Sequence, residues 1–280
     1  MTVDLTTVDR VIREALDEDL GPERLDVTSV ATIPASQVDT AELVARGSGV
    51  LAGSTVAARV FEAVGGRTTV VWKKRDGERV AGGDLVATVV GPTRGLLAAE
   101  RTALNLLCRL SGIATHTRRW VDAVAGTGVS ILDTRKTTPG LRELEKYAVR
   151  VGGGTNKRMG LYDVAMVKDN HVVAAGSITA AFGAVRAAFP AIRVEVEVAS
   201  VAQAREAVDA GADYLLCDNM TPSLLREVVA AVGGRAALEA TGGLALASAR
   251  DYAATGVDFL SVGALTHSSP ILDLALDLLS

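Results

Sequence analysis

The chain predicts an α/β fold, and its second half carries most of that prediction. Six short β-rich runs occur there: VSIL (129–132), VAMV (164–167), RVEVEV (193–198), DYLLC (213–217), AALEA (236–240) and DFLSV (258–262). Segments at 141–150, 177–189, 200–210, 222–232 and 244–255 separate them and read as helices. Most of the runs end in charge, hydroxyl or glycine rather than in more apolar residues. A repeated strand-then-helix unit argues parallel βαβ architecture. A regular (β/α) barrel uses eight such units in about 250 residues. Six units therefore predict a smaller or incomplete TIM-like barrel, with a doubly wound open sheet as the alternative. In both, active sites lie at the carboxyl ends of the strands.

The first hundred residues read differently. Val8, Val11, Ile12, Ala15 and Leu16 recur at helical spacing, and that helix should stop by Gly21-Pro22. Asp26-Val27-Thr28-Ser29 reads as a turn. A strand is expected at 41–46, a helix at 54–64 closed by Gly65-Gly66, and strands at 68–73 and 85–90. Asp76-Gly77 and Gly82-Gly83 mark turns between the last two. Together these make a turn-rich layer of strands and helices. A long helical stretch follows, from Gly95 to Ala125, with a break expected near Ser111-Gly112. Leu96, Leu97, Leu104, Leu107 and Leu110 supply its core face. His116 reads as structural, because no second ligand lies at zinc-site spacing beside it.

Composition narrows the function classes. Apolar residues make up 49% of the 280 and aromatics only 4%, so the core is mostly Ala, Val and Leu. A formal charge of −4 argues against a general nucleic-acid surface, which needs a basic footprint. It leaves room for a local basic pocket, because the field in a cleft need not follow net charge. Cys108 and Cys217 form no CxxC pair, which fits a reducing compartment. The start, MTVDLTTVDR, lacks the basic and apolar regions of a signal peptide, and no apolar stretch is long enough to span a bilayer. The expectation is a soluble, cytoplasmic protein with no membrane partner.

The strand ends carry the chemistry. After Val129–Leu132 come an acid, two cations, two hydroxyls and a Pro-Gly turn, in DTRKTTPG (133–140). A strand that ends this way presents side chains instead of continuing a sheet. The second run ends at Lys168-Asp169-Asn170-His171. In the third, Glu195 and Glu197 share one face, opposite the valines. If that face points into a barrel, two glutamates are buried there, which is costly without cations or a metal. The fourth run ends at Asp218-Asn219, the fifth at Glu239 and Thr241-Gly242-Gly243, and the sixth at Ser261 and Gly263 before Thr266-His267-Ser268. Thr241-Gly242-Gly243 and Gly263-Ala264 suit phosphate binding, although Gly pairs are common in turns. Glu197 and Asp218 suit Mg²⁺, which prefers oxygen ligands and retains waters. Arg135, Lys136, Lys157, Arg158 and Lys168 supply positive charge. Several cations facing a few acids suggest a polyanionic substrate with a divalent metal.

Taken together, EALDEDLGPERLDVTS, ERTALNLLCRLSGIAT, DTRKTTPGLR, KYAVRVGGGTNKR, GLYDVAMVKDNH, VEVEV, CDN, EATGG and VGALTHS resemble the quinolinate phosphoribosyltransferases, also called nicotinate-nucleotide pyrophosphorylases (carboxylating). The segments occur in family order over nearly the whole chain. DTRKTTPGLR with KDNH is the specific part; VEVEV alone would not be. The resemblance implies an N-terminal α/β sandwich (1–106, joined by the tail 270–280) and an α/β barrel (107–269). It implies a homodimer with shared active sites, with a higher oligomer left open. It also implies a step of NAD biosynthesis: quinolinate plus phosphoribosyl pyrophosphate gives nicotinate mononucleotide, pyrophosphate and CO₂, with Mg²⁺.

Carried over residue by residue, Arg135 and Arg158 would grip the quinolinate carboxylates, joined by Arg101 from the neighbouring subunit. Lys136 and Lys168 would sit near both substrates, and Glu197 and Asp218 would meet the ribose hydroxyls and Mg²⁺. Thr241, Gly242, Gly243 and Gly263 would cradle the 5′-phosphate, with His267 nearby. One position departs from the pattern. The family usually reads Asn-His-Arg where this chain has Asn156-Lys157-Arg158. Lys157 keeps a positive charge that suits a carboxylate but loses the flat imidazole, which leaves open a related pyridine acid as acceptor. The rivals are a sister phosphoribosyltransferase acting on another base, a Schiff-base lyase using Lys168 or Lys136, and a non-catalytic binder.

Overall fold

The computed structural model describes residues 3–279, which group into two compact units. The first contains residues 3–118, 137–153 and 265–279, and the second 119–136 and 154–264.

The first unit opens with α1 (Leu5–Leu20), capped by the Asp4 carboxylate on the Thr6 and Thr7 N–H groups and ended at Gly21. Val8, Val11, Ile12 and Leu16 form its buried face, as the spacing predicts. The expected turn at 26–29 is instead the start of a short helix, α2 (Val27–Thr32). The Asp26 carboxylate accepts from the Thr28 and Ser29 N–H groups, a bond that serves a turn and a helix cap equally well. Then come β1 (Val38–Ala45), β2 (Gly49–Val50), α3 (Ser54–Gly65), β3 (Thr69–Trp72), β4 (Arg79–Val80) and β5 (Leu85–Pro92).

The next helix, α4 (Thr93–Ala123), runs without the break expected at Ser111-Gly112. Both residues serve packing. The Ser111 hydroxyl bonds the N–H and C=O of Ala52 at 3.0 and 3.1 Å. A Cβ at Gly112 would collide with the Pro270 carbonyl, so glycine lets two segments of this unit touch.

Beyond α4 lie β6 (Ser130–Leu132), in the second unit, and α5 (Arg142–Val151), which groups with the first. The second unit then alternates: β7 (Val164–Val167), α6 (Asp169–Ala175), α7 (Ile178–Ala188), β8 (Arg193–Val198), α8 (Val201–Asp209), β9 (Tyr214–Asp218), α9 (Pro222–Val232), β10 (Ala237–Thr241), α10 (Ala249–Ala253) and β11 (Phe259–Ser261). Two strands match their predicted bounds and four differ by a residue or two. The helix expected at 244–255 is a 3-10 turn (Leu246–Ser248) followed by α10. KDNH opens α6, a helix outside the predicted set, whose His171 Nδ1 accepts the Lys168 N–H at 2.9 Å. The chain returns to the first unit with α11 (Ala264–His267) and β12 (Leu274–Leu278).

Each unit has its own sheet. In the first, the order is β12-β1-β5-β3 and every pairing is antiparallel. In the second, the order is β6-β11-β10-β9-β8-β7 and every pairing is parallel. This is the incomplete TIM-like barrel, with β6 and β7 as the outer strands and Thr155 bridged in parallel to Leu132. Register then sorts the side chains. Glu197 lies opposite Leu216, Leu216 opposite Glu239, and Glu239 opposite Phe259. One step toward the carboxyl ends, Asp218 lies opposite Thr241. Because side chains alternate, these residues share one face with Glu195 and Tyr214. Tyr214 and Phe259 stack at 5.6 Å across that face. Val194, Val196 and Val198 are buried on the other. Among the described residues, no single helix is long and apolar enough to cross a membrane.

Candidate active site

At the carboxyl ends of the second unit's strands, polar side chains fall into three groups. The outer group is open. Lys168 caps the end of β7, and its Nζ donates to Glu197 Oε2 at 2.7 Å. The two side chains are 44% and 16% exposed, so water and ligands reach the pair. Asp218, half-buried, ends β9. It is held by its neighbour Asn219, to which the sequence alone assigns no role. Asn219 sits at φ 52, and its amide donates to Asp218 Oδ2 at 2.7 Å. Its backbone N–H also bonds the Thr241 carbonyl at 2.9 Å, tying the ends of β9 and β10 together. Asn is one of the few residues that tolerate the left-handed region, and that was the available signal. Gly242 (φ +89) packs directly on the Asn219 amide, where a Cβ would overlap Oδ1. Gly243 is open on that side, so a ligand can approach its backbone.

The second group surrounds Asp133. Its carboxylate is fully buried and is not a ligand in waiting. It accepts from Asn156 Nδ2 at 2.6 Å and from the Lys157 N–H at 2.8 Å, and so clasps the GGGTNKR loop. Arg135 is half-buried and Lys136 exposed. Arg158 Nη1 donates to the Val164 carbonyl at 3.0 Å, and Nη2 lies 3.5 Å from Met166 Sδ. Burial, and then the nearby Arg135 charge, pull the Arg158 guanidinium below its ordinary pKa, while Glu195 and Asp163 act the other way. A partly buried guanidinium with a second cation acting on it is suited to an anion.

The third group is inside the sheet's face. Lys157, expected among the anion-binding cations, turns its ammonium inward. Nζ donates to Glu239 Oε1 and Oε2 at 2.6 and 2.5 Å. It also lies 3.3 Å from Glu195 Oε2, close enough for an ion pair but not aligned as a hydrogen bond. The side chains of Lys157, Glu195 and Glu239 are 7%, 3% and 0% exposed. Tyr214 Oη donates to Glu239 Oε2 at 2.6 Å, and Arg193 stacks 4.2 Å over the Tyr214 ring. Burial raises the Glu195 carboxyl, which Lys157 partly offsets; burial also raises the Tyr214 hydroxyl. The same effect pushes the Cys217 thiol up to about 12, so that cysteine is an inert core residue.

Arg101 and His267 belong to the first unit. Arg101 projects from α4, 66% exposed, with only a loose 3.9 Å pairing to Glu100. His267, exposed at the end of α11, has Nδ1 2.6 Å from Ser268 Oγ. His116 Nδ1 lies 2.9 Å from Ser269 Oγ, consistent with a structural histidine. Among the described residues, no group of three or more His, Cys, Asp or Glu side chains is placed to hold a metal.

Cations, two carboxylates and a Thr-Gly-Gly turn at the carboxyl ends of parallel strands define an α/β-barrel protein built to receive anionic ligands. Two family models match the chain: quinolinate phosphoribosyl transferase, N-terminal domain, over residues 26–111, and its C-terminal domain over 113–277. The chain belongs to the quinolinate phosphoribosyltransferase family. It is 51% identical to the nicotinate-nucleotide pyrophosphorylase [carboxylating] of Mycobacterium leprae, over 95% of each chain. It is 43% identical to the probable Bacillus subtilis enzyme of that name, over 93% of this chain and 89% of the other. The crystal structure of NadC from Streptococcus pyogenes superposes with a TM-score of 0.95 at 39% identity, covering 100% of both chains.

Proposed function

We propose that this chain transfers the phosphoribosyl group of phosphoribosyl pyrophosphate to the ring nitrogen of quinolinate, with loss of the adjacent carboxylate. The products are nicotinate mononucleotide, pyrophosphate and CO₂, a step of NAD biosynthesis. Family membership over nearly the whole chain supports this reading. The observation that carries it is the cationic side of the site, with the half-buried Arg135 and with Arg158 Nη1 tied to the Val164 carbonyl at 3.0 Å, on the same unit as the open Lys168–Glu197 pair. A dicarboxylate fits the first and a phosphorylated sugar the second.

In this reading Arg135 and Arg158 hold the two carboxylates, with the partner subunit's Arg101 completing the grip in a homodimer. Lys136 and Lys168 offset the charge that builds on the departing pyrophosphate. Thr241, Gly242, Gly243 and Gly263 receive the 5′-phosphate, with His267 beside it. Glu197 and Asp218 meet the ribose hydroxyls. These two carboxylates also fit Mg²⁺, which takes one or two protein oxygens and fills its other positions with water and phosphate. When bound, the metal would neutralise pyrophosphate oxygens as the glycosidic bond breaks. The site brings together two anions that repel each other in water, so positioning is a large part of its task. Once the ring nitrogen is alkylated, the pyridinium withdraws electrons, the neighbouring carboxylate leaves as CO₂ with its bonding pair held on the ring carbon, and that carbon takes a proton from solvent, with no further cofactor. The division into domains 1–106 and 107–269, with 270–280 joining the first, is supported by the family models, which part between residues 111 and 113, and by the β12–β1 pairing.

The test is a Mg²⁺-dependent assay with phosphoribosyl pyrophosphate and carboxyl-labelled quinolinate, run beside nicotinate. Labelled CO₂ from quinolinate and no product from nicotinate is the expected result. No turnover of quinolinate by folded protein would overturn the proposal.

A further inference from the structure

The interior cluster poses a question that the reaction does not answer. β8 and β10 each bury a carboxylate on the same face, Glu195 and Glu239, with β9 and its Tyr214 between them. Tyr214 satisfies one Glu239 oxygen but brings no charge. Two such carboxylates need positive charge close by. Lys157 supplies it, and is committed at both ends. Its N–H is held by Asp133 and its ammonium by Glu239 and Glu195. To reach a substrate, the ammonium would have to leave two Glu239 oxygens at 2.5 and 2.6 Å.

Arg158 is the next residue in the same loop. Glu195 attracts it as well, whereas Arg135 repels it. Glu195 therefore acts on Arg158 as well as on Lys157, which lies 3.3 Å away and, with Arg193, offsets part of its charge. With Lys157 in place, the Arg158 guanidinium can remain near Arg135. Without it, Arg158 is drawn toward Glu195, because its Nη2 lies 3.5 Å from Met166 Sδ and Met166 stands opposite Glu195 in the β7–β8 register, and Arg158 is a residue the proposed reaction needs for a carboxylate.

We infer that Lys157 is a positioning residue: it is the internal counter-ion of Glu195 and Glu239, and by balancing them it leaves Arg158 to the substrate. This rests on the reaction proposed above for the identity of the substrate, but the counter-ion role does not depend on turnover. It also explains how a lysine serves where the family usually has histidine. A four-carbon stem carries the charge from the loop to the interior carboxylates, so the residue is not a replacement ligand for the pyridine acid.

Neutralising the partner separates the two roles. Lys157→Met is compared with Glu195→Gln and with the double variant K157M/E195Q, using quinolinate binding by calorimetry, steady-state kinetics and thermal unfolding. K157M should weaken quinolinate binding about tenfold or more, leave the KM for phosphoribosyl pyrophosphate within about twofold, and lower Tm. The double variant should bring quinolinate affinity back to within about threefold of the parent and recover most of the Tm, because Glu195 no longer draws on Arg158 and the remaining Glu239 carboxylate keeps its Tyr214 hydrogen bond. A double variant that binds quinolinate as weakly as K157M would make Lys157 a direct ligand and overturn the inference. So would a K157M protein with unchanged affinity and Tm. If K157M does not fold, the double variant still decides the matter by folding and binding or by failing to bind. If the parent binds no quinolinate, the reaction fails separately, and Tm loss in K157M with recovery in the double variant still reads the counter-ion role.

Discussion

Glu195 and Glu197 stand two residues apart on one face of β8, and each has a lysine, yet the two pairs occupy different environments. The Glu195 carboxylate shares Lys157 with Glu239 in an interior where none of the three side chains is more than 7% exposed. The Glu197 carboxylate meets Lys168 at the open strand end, where the lysine is 44% exposed. The chemistry is the same, but the depth is not. Inside, each charge has lost its water and depends on its partner. At the strand end, water still solvates the pair, so either group can change partners when a ligand arrives. One pair is sealed in the sheet's interior and the other stays open to solvent.

The contrast is tested most sharply by removing each lysine. Lys168→Met should lower kcat/KM by about 10²–10³, the scale of losing one charge-stabilising group at a reacting centre. Its unfolding free energy in urea should stay within about 1 kcal/mol of the parent, as for an exposed pair. Lys157→Met should lose about 3–5 kcal/mol in the same urea titration, because it strands buried carboxylates. Equal destabilisation by the two substitutions would erase the distinction. Gly242→Ala sits between them: positive φ and the clash with Asn219 should cost about 1–3 kcal/mol. It should also raise the KM for phosphoribosyl pyrophosphate by displacing the turn. At the lower end, Glu14→Gln breaks only the exposed Arg10–Glu14 pair on α1 and should shift stability by less than about 0.5 kcal/mol.

Acid should affect the first unit through its helix caps and strand pairs. The Ser29 hydroxyl holds the Asp26 carboxyl below its ordinary value of 3.8, and the Thr93 hydroxyl does the same for Asp39. A depressed folded pKa contributes stability that is present above the unfolded value and is lost as pH falls through the folded one. Asp26→Asn should therefore flatten the acid limb of a Tm-versus-pH curve below about pH 4 and leave the neutral region's slope unchanged.

Much of the fold was legible in the residues because it depends on local periodicity. VAMV and RVEVEV are strands with the predicted bounds, and residues 222–232 form the predicted helix with Pro222 at its start. The misses share a cause: one local signal serves two structures. Asp26 caps a helix where a turn was expected. Ser111-Gly112 looks like a break, yet it provides a close packing site within α4. Asn219 carries no periodicity, and its role depends on Thr241 and Gly242, more than twenty residues away in sequence.

By itself, the sequence determined the alternation of strands and helices, the cations and acids at the strand ends, and the face shared by Glu195 and Glu197. These follow from the period of a strand and from short motifs whose residues are neighbours in the chain. Only the tertiary structure decided which lysine goes inside. Lys157 lies in a loop without a repeating pattern, and its main partner, Glu239, is 82 residues further on. Burying an ammonium is unfavourable until carboxylates from β8 and β10 are already facing it, so its direction is a property of the assembled sheet.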